Sequence, residues 1–293
     1  MKNKLIALAS KNDHPSRMLF HFYYGLHNRL LNYYKGPYET TVHGVPMSMP
    51  AEHLLPVYVA MNHLQEKPLI DVAAAVAKRD GYLNMIDIGA NIGDTVLLVN
   101  SKVKLDHVIA IEGSDRFFPY LKTNAARAKT GLDIALEKIY LAEESGRKAL
   151  LRSEDFGTGS LKEDANGEPI LLQTLDELIK EKYPNVSWNL IKLDTDGFDY
   201  RILKGATNTV SSPNVDLFFE YDPLTYQSQR LDPGVIFTFL QSLGYKRAVF
   251  YNNWGEKMYD GPLDVEGFIA HLIEYNITYH RFHFDVWASK MEK

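Results

Sequence analysis

The chain has 293 residues, 45% of them hydrophobic and 24% charged, with a formal net charge of −5 when histidine is neutral and no cysteine. That length and balance suit a soluble globular protein with one large domain, or a domain plus an appendage. They argue against a nucleic-acid binder that relies on neutralising phosphates, and they exclude disulfides and thiolate metal sites. The charge is uneven: residues 1–50 carry +4 and the remainder −9.

At the start, Lys2, Lys4 and Ala7-Leu8-Ala9 imitate a signal peptide. The apolar stretch Leu5–Ala9 is shorter than the roughly 7–15 residues of a secretory core, so cytoplasmic mature sequence is expected. No apolar run approaches the roughly 18 residues a spanning helix needs. Leu19, Phe22, Tyr23, Leu26, Leu30, Tyr33 and Tyr34 fall at helical spacing and predict one aromatic-rich stripe. Tyr38 to Pro50 alternates around His43-Gly44 and predicts a hairpin, and Leu69 to Lys78 predicts a helix. Residues 1–80 are therefore read as an N-terminal extension of helix, hairpin and helix, and 81–293 as the main domain. The extension is expected to pack on that domain. Its positive balance and Tyr/Phe stripe are also compatible with a weak membrane-surface contact through residues 1–40, or with homo-oligomerisation.

From residue 84 onward, strand and helix patterns alternate as in parallel α/β units. Strands are predicted at 84–88, 107–112, 134–140, 189–194 and 215–221, and helices near 93–100, 115–128, 174–182, 199–204 and 232–243. Thr174 and Glu177 read as a capping box. Arg247 to Tyr251 and His280 to Ala288 predict two closing strands. The polar, glycine-rich stretch 152–169 is long for a connection and reads as a lid or a mobile loop.

The richest segment is Asn84-Met-Ile-Asp-Ile-Gly-Ala-Asn-Ile-Gly-Asp-Thr95, a buried strand, a glycine turn and a helix start. A dinucleotide fingerprint requires a middle glycine so that a pyrophosphate can approach bare backbone; Asn91 stands there instead. The spacing thus favours a ligand without a diphosphate. Glu112 ends the second strand, 19 residues after Gly93, where an acid can accept both ribose hydroxyls of an adenosine. Asp87 lies inside the first strand and needs partners if buried, either loop amides or a ligand ammonium.

Two further acidic clusters end later strands: Asp194-Thr-Asp196-Gly197, and Glu220-Tyr-Asp222-Pro223. Asp194 and Asp196 are candidates for a catalytic base. Asp194, Glu220 and Asp222 could instead form an all-oxygen site for Mg²⁺ or another hard cation. His53 is a weaker candidate for approach to a substrate, and the remaining histidines lack metalloprotease spacing.

Taken in order, Asp87-Ile-Gly-Ala-Asn-Ile-Gly93, Ile111-Glu112, Leu121-Lys-Thr-Asn124, Glu144-Ser-Gly146, Thr174-Leu-Asp-Glu-Leu178, Ile191-Lys-Leu-Asp-Thr-Asp-Gly197, Ile202-Leu-Lys-Gly-Ala206 and Phe219-Glu220 resemble the FkbM family of methyltransferases across about 84–290. Gly113 stands where that family often has Pro, and Asp196 where Glu is usual. The resemblance implies a class I Rossmann-like sheet of five parallel core strands plus an antiparallel closing pair. It implies S-adenosylmethionine as cofactor and O-methylation of a sugar hydroxyl on a nucleotide sugar, polysaccharide or lipopolysaccharide precursor. On that basis the loop with Asp87, Gly89, Ala90, Asn91 and Gly93 would hold the cofactor's amino-acid end. Glu112 would hold its ribose, Gly113 is expected among the cofactor-binding residues, and Tyr140 to Ala142, with Leu141, would lie near adenine. An NAD-dependent sugar oxidoreductase and a non-catalytic partner subunit of the same fold are the competing readings.

Overall fold

The computed structural model describes residue 25 and residues 36–61, 66–128, 132–146, 148–151, 168–279 and 283–291. The aromatic stripe predicted at 19–34 and most of the polar stretch 152–169 lie outside the described residues, as does most of the segment proposed for membrane contact.

A hairpin opens the described chain, β1 (Pro37–Val42) and β2 (Val45–Pro50), in antiparallel register. Its turn residues His43 (φ 47°) and Gly44 (φ 85°) are both left-handed, which matches the twist of the flanking strands. Helices α1 (Leu55–Met61) and α2 (Lys67–Asp80) lead into β3 (Asn84–Ile88), α3 (Asp94–Lys102), β4 (His107–Ile111), α4 (Phe118–Ala125) and β5 (Asp133–Glu137). A small three-stranded sheet follows, built from β6 (Tyr140–Leu141), β7 (Lys148–Leu151) and β8 (Glu168–Gln173) in the order β6-β8-β7. Then come α5 (Leu175–Lys182), β9 (Leu190–Leu193), α6 (Asp199–Lys204), α7 (Thr207–Ser211), β10 (Asp216–Tyr221), α8 (Pro223–Ser228) and α9 (Val235–Ser242). The chain closes with β11 (Arg247–Asn252), β12 (Lys257–Pro262), α10 (Ala270–Tyr279) and β13 (Phe284–Ser289).

The central sheet has eight strands in the order β12-β11-β13-β10-β9-β3-β4-β5. β10, β9, β3, β4 and β5 are mutually parallel, the five predicted core strands. β13 inserts between β10 and β11 and runs antiparallel to both, as the class I arrangement requires. The expected closing pair is extended by β12, antiparallel to β11. Its Lys-Met-Tyr-Asp-Gly-Pro sequence is an exposed edge with no clean alternation, so no strand pattern marked it.

Both faces of the parallel strands are covered, which is why they read as continuous apolar runs. Side chains alternate between two cores: Ile86, Ile88, Ile109, Ile111, Ile191 and Leu193 pack on the side of α5, α6 and α9. Met85, Val108, Ala110 and Leu190 pack on the other with Leu69, Val72 and Val76 of α2 and Val96 and Val99 of α3. The hairpin adds a third core, in which Val42, Met47 and Met49 meet Ile92, Leu97 and Phe117. The buried Asn124 amide ties this contact down: Oδ1 accepts from Ser48 N at 2.8 Å, and Nδ2 donates to the carbonyls of Ser48 (2.8 Å) and Ile92 (2.7 Å). The predicted capping box is half formed. Glu177 N donates to Thr174 Oγ1 at 3.2 Å, but the Glu177 carboxylate accepts from Ser145 Oγ instead of turning back to the cap. No helix among the described residues is long and apolar enough to cross a membrane.

Candidate active site

In an open parallel sheet, ligands bind beyond the carboxyl ends of the strands, where the chain leaves in opposite directions from neighbouring strands. Here that point lies between β3 and β9. Asp194 N donates to Ile88 O (3.1 Å), so the two strand ends abut. Gly89 (φ 74°) makes the approach feasible, since a Cβ there would stand 2.0 Å from Asp194 O. Gly89 N and Ala90 N both donate to Ile111 O (3.0 and 2.9 Å), anchoring the turn to β4. Asn91 adopts φ 50°, and Gly93 (φ 81°) fits against Leu121.

Two clefts meet over this turn. The first, about 680 Å³, runs along Gly89, Asn91, Glu112, Gly113, Tyr140, Leu141 and Asp194. Ile88, Ile111, Ile139, Thr195, Asp196 and Ile202 complete it. Glu112 is fixed by backbone donors, with Oε2 accepting from Asn91 N (2.9 Å) and Oε1 from Ser114 N (2.7 Å). Each carboxylate oxygen retains a second acceptor site. Burial raises the Glu112 pKa, and the Ser114 and Asn91 amides oppose that rise. The Gly113–Tyr140 contact accounts for the absence of Pro: a Cβ at 113 would lie 2.4 Å from the Tyr140 ring.

The second cleft, about 1100 Å³, lies on the other side of the turn. Its walls include His53, Tyr58, Glu66, Asp94, Lys192, Asp194, Phe218, Glu220, His283 and Asp285. Gly89, Asn91 and Asp194 line both clefts.

Beneath the junction sits Lys192, only 8% exposed, a residue not singled out from the sequence. Its Nζ lies 3.2 Å from Asp87 Oδ1, 3.5 Å from Asp194 Oδ2 and 3.2 Å from Gly89 O. A charged side chain inside Leu190-Ile191-Lys192-Leu193 was the available signal, because a buried ammonium needs anionic partners. Burial disfavours the ammonium, but the charges of Asp87, Asp194 and Asp94 outweigh it and raise its pKa. Asp87 is fully enclosed and lines neither cleft. Burial raises its pKa against the pull of Lys192. Lys192 stands within ion-pair distance, yet neither Asp87 oxygen accepts a well-directed hydrogen bond.

Of the other residues predicted for the site, Ala90 turns into the core and Gly93 packs on α4, so both shape the turn without facing a cleft. Asp196 (φ 51°) borders the first cleft only. The proposed cation set does not come together: Asp222 caps α8, with Oδ1 accepting from Leu224 N (3.0 Å) and Oδ2 from Thr225 Oγ1 (3.2 Å). Among the described residues no group of three or more His, Asp or Glu side chains is arranged to hold a metal. Glu220 faces the second cleft, 4.0 Å from His283 Nε2. His53 lies in the segment between the hairpin and α1. Leu55 N donates to its Nδ1 (3.2 Å), so Nε2 carries the proton and faces Asn91 Oδ1 at 3.2 Å. The N-terminal segment thereby reaches the turn at residues 89–93.

The sequence profile of the methyltransferase FkbM domain matches residues 87–247. The hexuronic acid methyltransferase AglP of Haloferax volcanii is 29% identical over 164 residues, covering 54% of this chain and 64% of that protein. The chain thus spans less than two thirds of this curated relative. Among solved structures, the FkbM methyltransferase of Methylobacillus flagellatus KT aligns with 16% identity and a TM-score of 0.45, over 71% of this chain and 43% of that one. M. jannaschii TYW2, solved in complex with AdoMet, aligns with 11% identity and a TM-score of 0.42, over 87% and 86% of the two chains. With more than half of its residues matched by the domain profile, the chain belongs to the FkbM methyltransferase family.

Proposed function

We propose that the protein is an S-adenosylmethionine-dependent O-methyltransferase acting on a sugar hydroxyl. Gly89, Asn91 and Asp194 form the boundary between the two clefts, and that shared boundary carries the proposal. A cofactor in the first cleft and an acceptor in the second would meet there. The first cleft fits an adenosyl group: Glu112 offers two carboxylate oxygens for ribose hydroxyls, and Tyr140 and Leu141 offer an apolar wall for a base. The turn at 89–93 presents close-packed backbone for the amino-acid end, with Asn91 in place of the glycine a diphosphate needs.

When bound, S-adenosylmethionine supplies an activated methyl group. The chain must then align an oxygen with it and remove that oxygen's proton. Asp194 is the proposed base, because among the described residues it alone of the acids borders both clefts, with 49% of its side chain exposed. Lys192 holds one of its oxygens from below, leaving the other for the acceptor hydroxyl. The relative from Haloferax volcanii, a hexuronic acid methyltransferase, supports a sugar as the acceptor class.

Incubation with trideuteromethyl-labelled S-adenosylmethionine and a panel of nucleotide sugars and glycans, read by mass spectrometry, tests the proposal. A labelled, base-stable ether on a sugar is expected. Label found only on protein, nucleic acid or amine acceptors contradicts it.

A further inference from the structure

His53 lies upstream of residues 87–247, the stretch matched by the family profile, yet it touches the turn that separates the two clefts. It is only 9% exposed, and its position is fixed from several sides. Its backbone N donates to Pro50 O (3.0 Å), and its ring meets the buried Phe117 edge-on, with centroids 6.1 Å apart. Next to it, Glu52 pairs with Arg116, the neighbour of Phe117. Leu55 N donates to Nδ1 at 3.2 Å, which leaves the proton on Nε2 and makes that atom the donor to Asn91 Oδ1, also at 3.2 Å. Asn91 is a turn residue that needs holding. Its φ of 50° is left-handed, a region that side chains seldom occupy and that Asn tolerates better than most. The N–H of the same residue donates to Glu112 Oε2 at 2.9 Å, and Asn91 lines both clefts.

We infer that His53 is a positioning residue of the cofactor site: its Nε2–H fixes the Asn91 carboxamide, and through it the turn amide that holds Glu112 in the first cleft. The inference rests on the assignment of that cleft to the cofactor. It makes the segment between the hairpin and α1 a working part of the site, beyond its packing on the main domain. Leu54, Leu55 and Tyr58, just downstream of His53, wall the second cleft. The same hydrogen bond therefore ties a wall of the second cleft to the turn that shapes the first.

Calorimetric titration of S-adenosylhomocysteine into the wild type, His53→Gln, His53→Asn, Asn91→Ala and the double variant His53→Asn/Asn91→Ala tests the inference, with the melting temperature of each variant measured alongside. A glutamine amide reproduces the Nε2 donor, whereas an asparagine amide reaches only the Nδ1 position. His53→Asn should weaken binding about 2–12-fold, the worth of one hydrogen bond. His53→Gln should bind more tightly than His53→Asn, close to wild type. In the Asn91→Ala background, His53→Asn should cost no further affinity, because the partner it acts through is gone. Lowered melting temperatures with unchanged affinity in both His53 variants would assign the residue a structural role alone and overturn the inference. An equal loss of affinity from His53→Asn with and without Asn91 would overturn it too. A wild-type protein that binds no S-adenosylhomocysteine is a distinct result, which removes the cofactor assignment and this inference with it.

Discussion

Lys192 Nζ lies 3.2 Å from Asp87 Oδ1, and both side chains are buried beneath the junction of the two clefts. Neither residue is readily replaced alone, since removing one member of a buried ion pair strands the other charge. Lys192→Met should therefore destabilise the fold by about 3–5 kcal/mol, and adding Asp87→Asn should recover most of that loss. Urea unfolding of the two single variants and the double variant measures this. A loss no larger than the roughly 0–1 kcal/mol typical of an exposed pair would show that the ammonium contributes nothing special here.

Asp194→Asn keeps the shape of the junction and removes the proposed base. Affinity for S-adenosylhomocysteine, read by calorimetry, should stay within a few-fold of wild type, while methyl transfer falls by about 10²–10⁴-fold. Near wild-type turnover would take Asp194 out of the chemistry and direct attention to Asp196.

Gly113 owes its identity to Tyr140, whose ring occupies the space a Cβ would need. Gly113→Ala should push that ring out of the first cleft and cost about 1–3 kcal/mol, as overpacking does. Cofactor affinity should fall with it, and Tyr140→Ala in the same chain should relieve the stability loss. Unchanged melting and affinity in Gly113→Ala would contradict this packing.

The acids of the second cleft give the protein a directional pH response. Burial, then the charge of Asp194, raises the Asp285 pKa to about 7. In the unfolded chain it titrates near the ordinary aspartate value of about 4. Between those values the unfolded state is ionised while the folded state still holds its proton, so the Asp285 contribution to stability is lost as pH rises through about 7. Asp285→Asn should accordingly become more stable relative to wild type at pH 8 than at pH 5, by denaturant unfolding. A constant difference across that range would contradict the buried placement of Asp285.

The parallel core was legible because helices cover both of its faces, leaving β3, β4, β9 and β10 as compact apolar runs. The hairpin was legible through His43-Gly44. The site was only partly so. Asp194 and Glu112 end buried strands and face the clefts as their positions implied. Asp222 is compatible by sequence with a cation site, but Asp222-Pro223 is also a helix-start signal, and it is the cap that the structure holds. Lys192 and Asp285 carry no such local signal, because periodicity does not say which charged residue on a strand will point inward toward partners distant in sequence. The second cleft draws its walls from α1, α2, β9, β10 and β13, a juxtaposition no local pattern encodes.

Calorimetric titration of S-adenosylmethionine and of NAD into the wild-type protein and Glu112→Ala tests the central claim most directly. The first cleft should bind S-adenosylmethionine and not NAD. Loss of the Glu112 carboxylate should weaken binding by about 10–150-fold, the equivalent of about 1.5–3 kcal/mol for a charged hydrogen bond. Binding of NAD in preference, or S-adenosylmethionine affinity unchanged in Glu112→Ala, would contradict the assignment of this cleft.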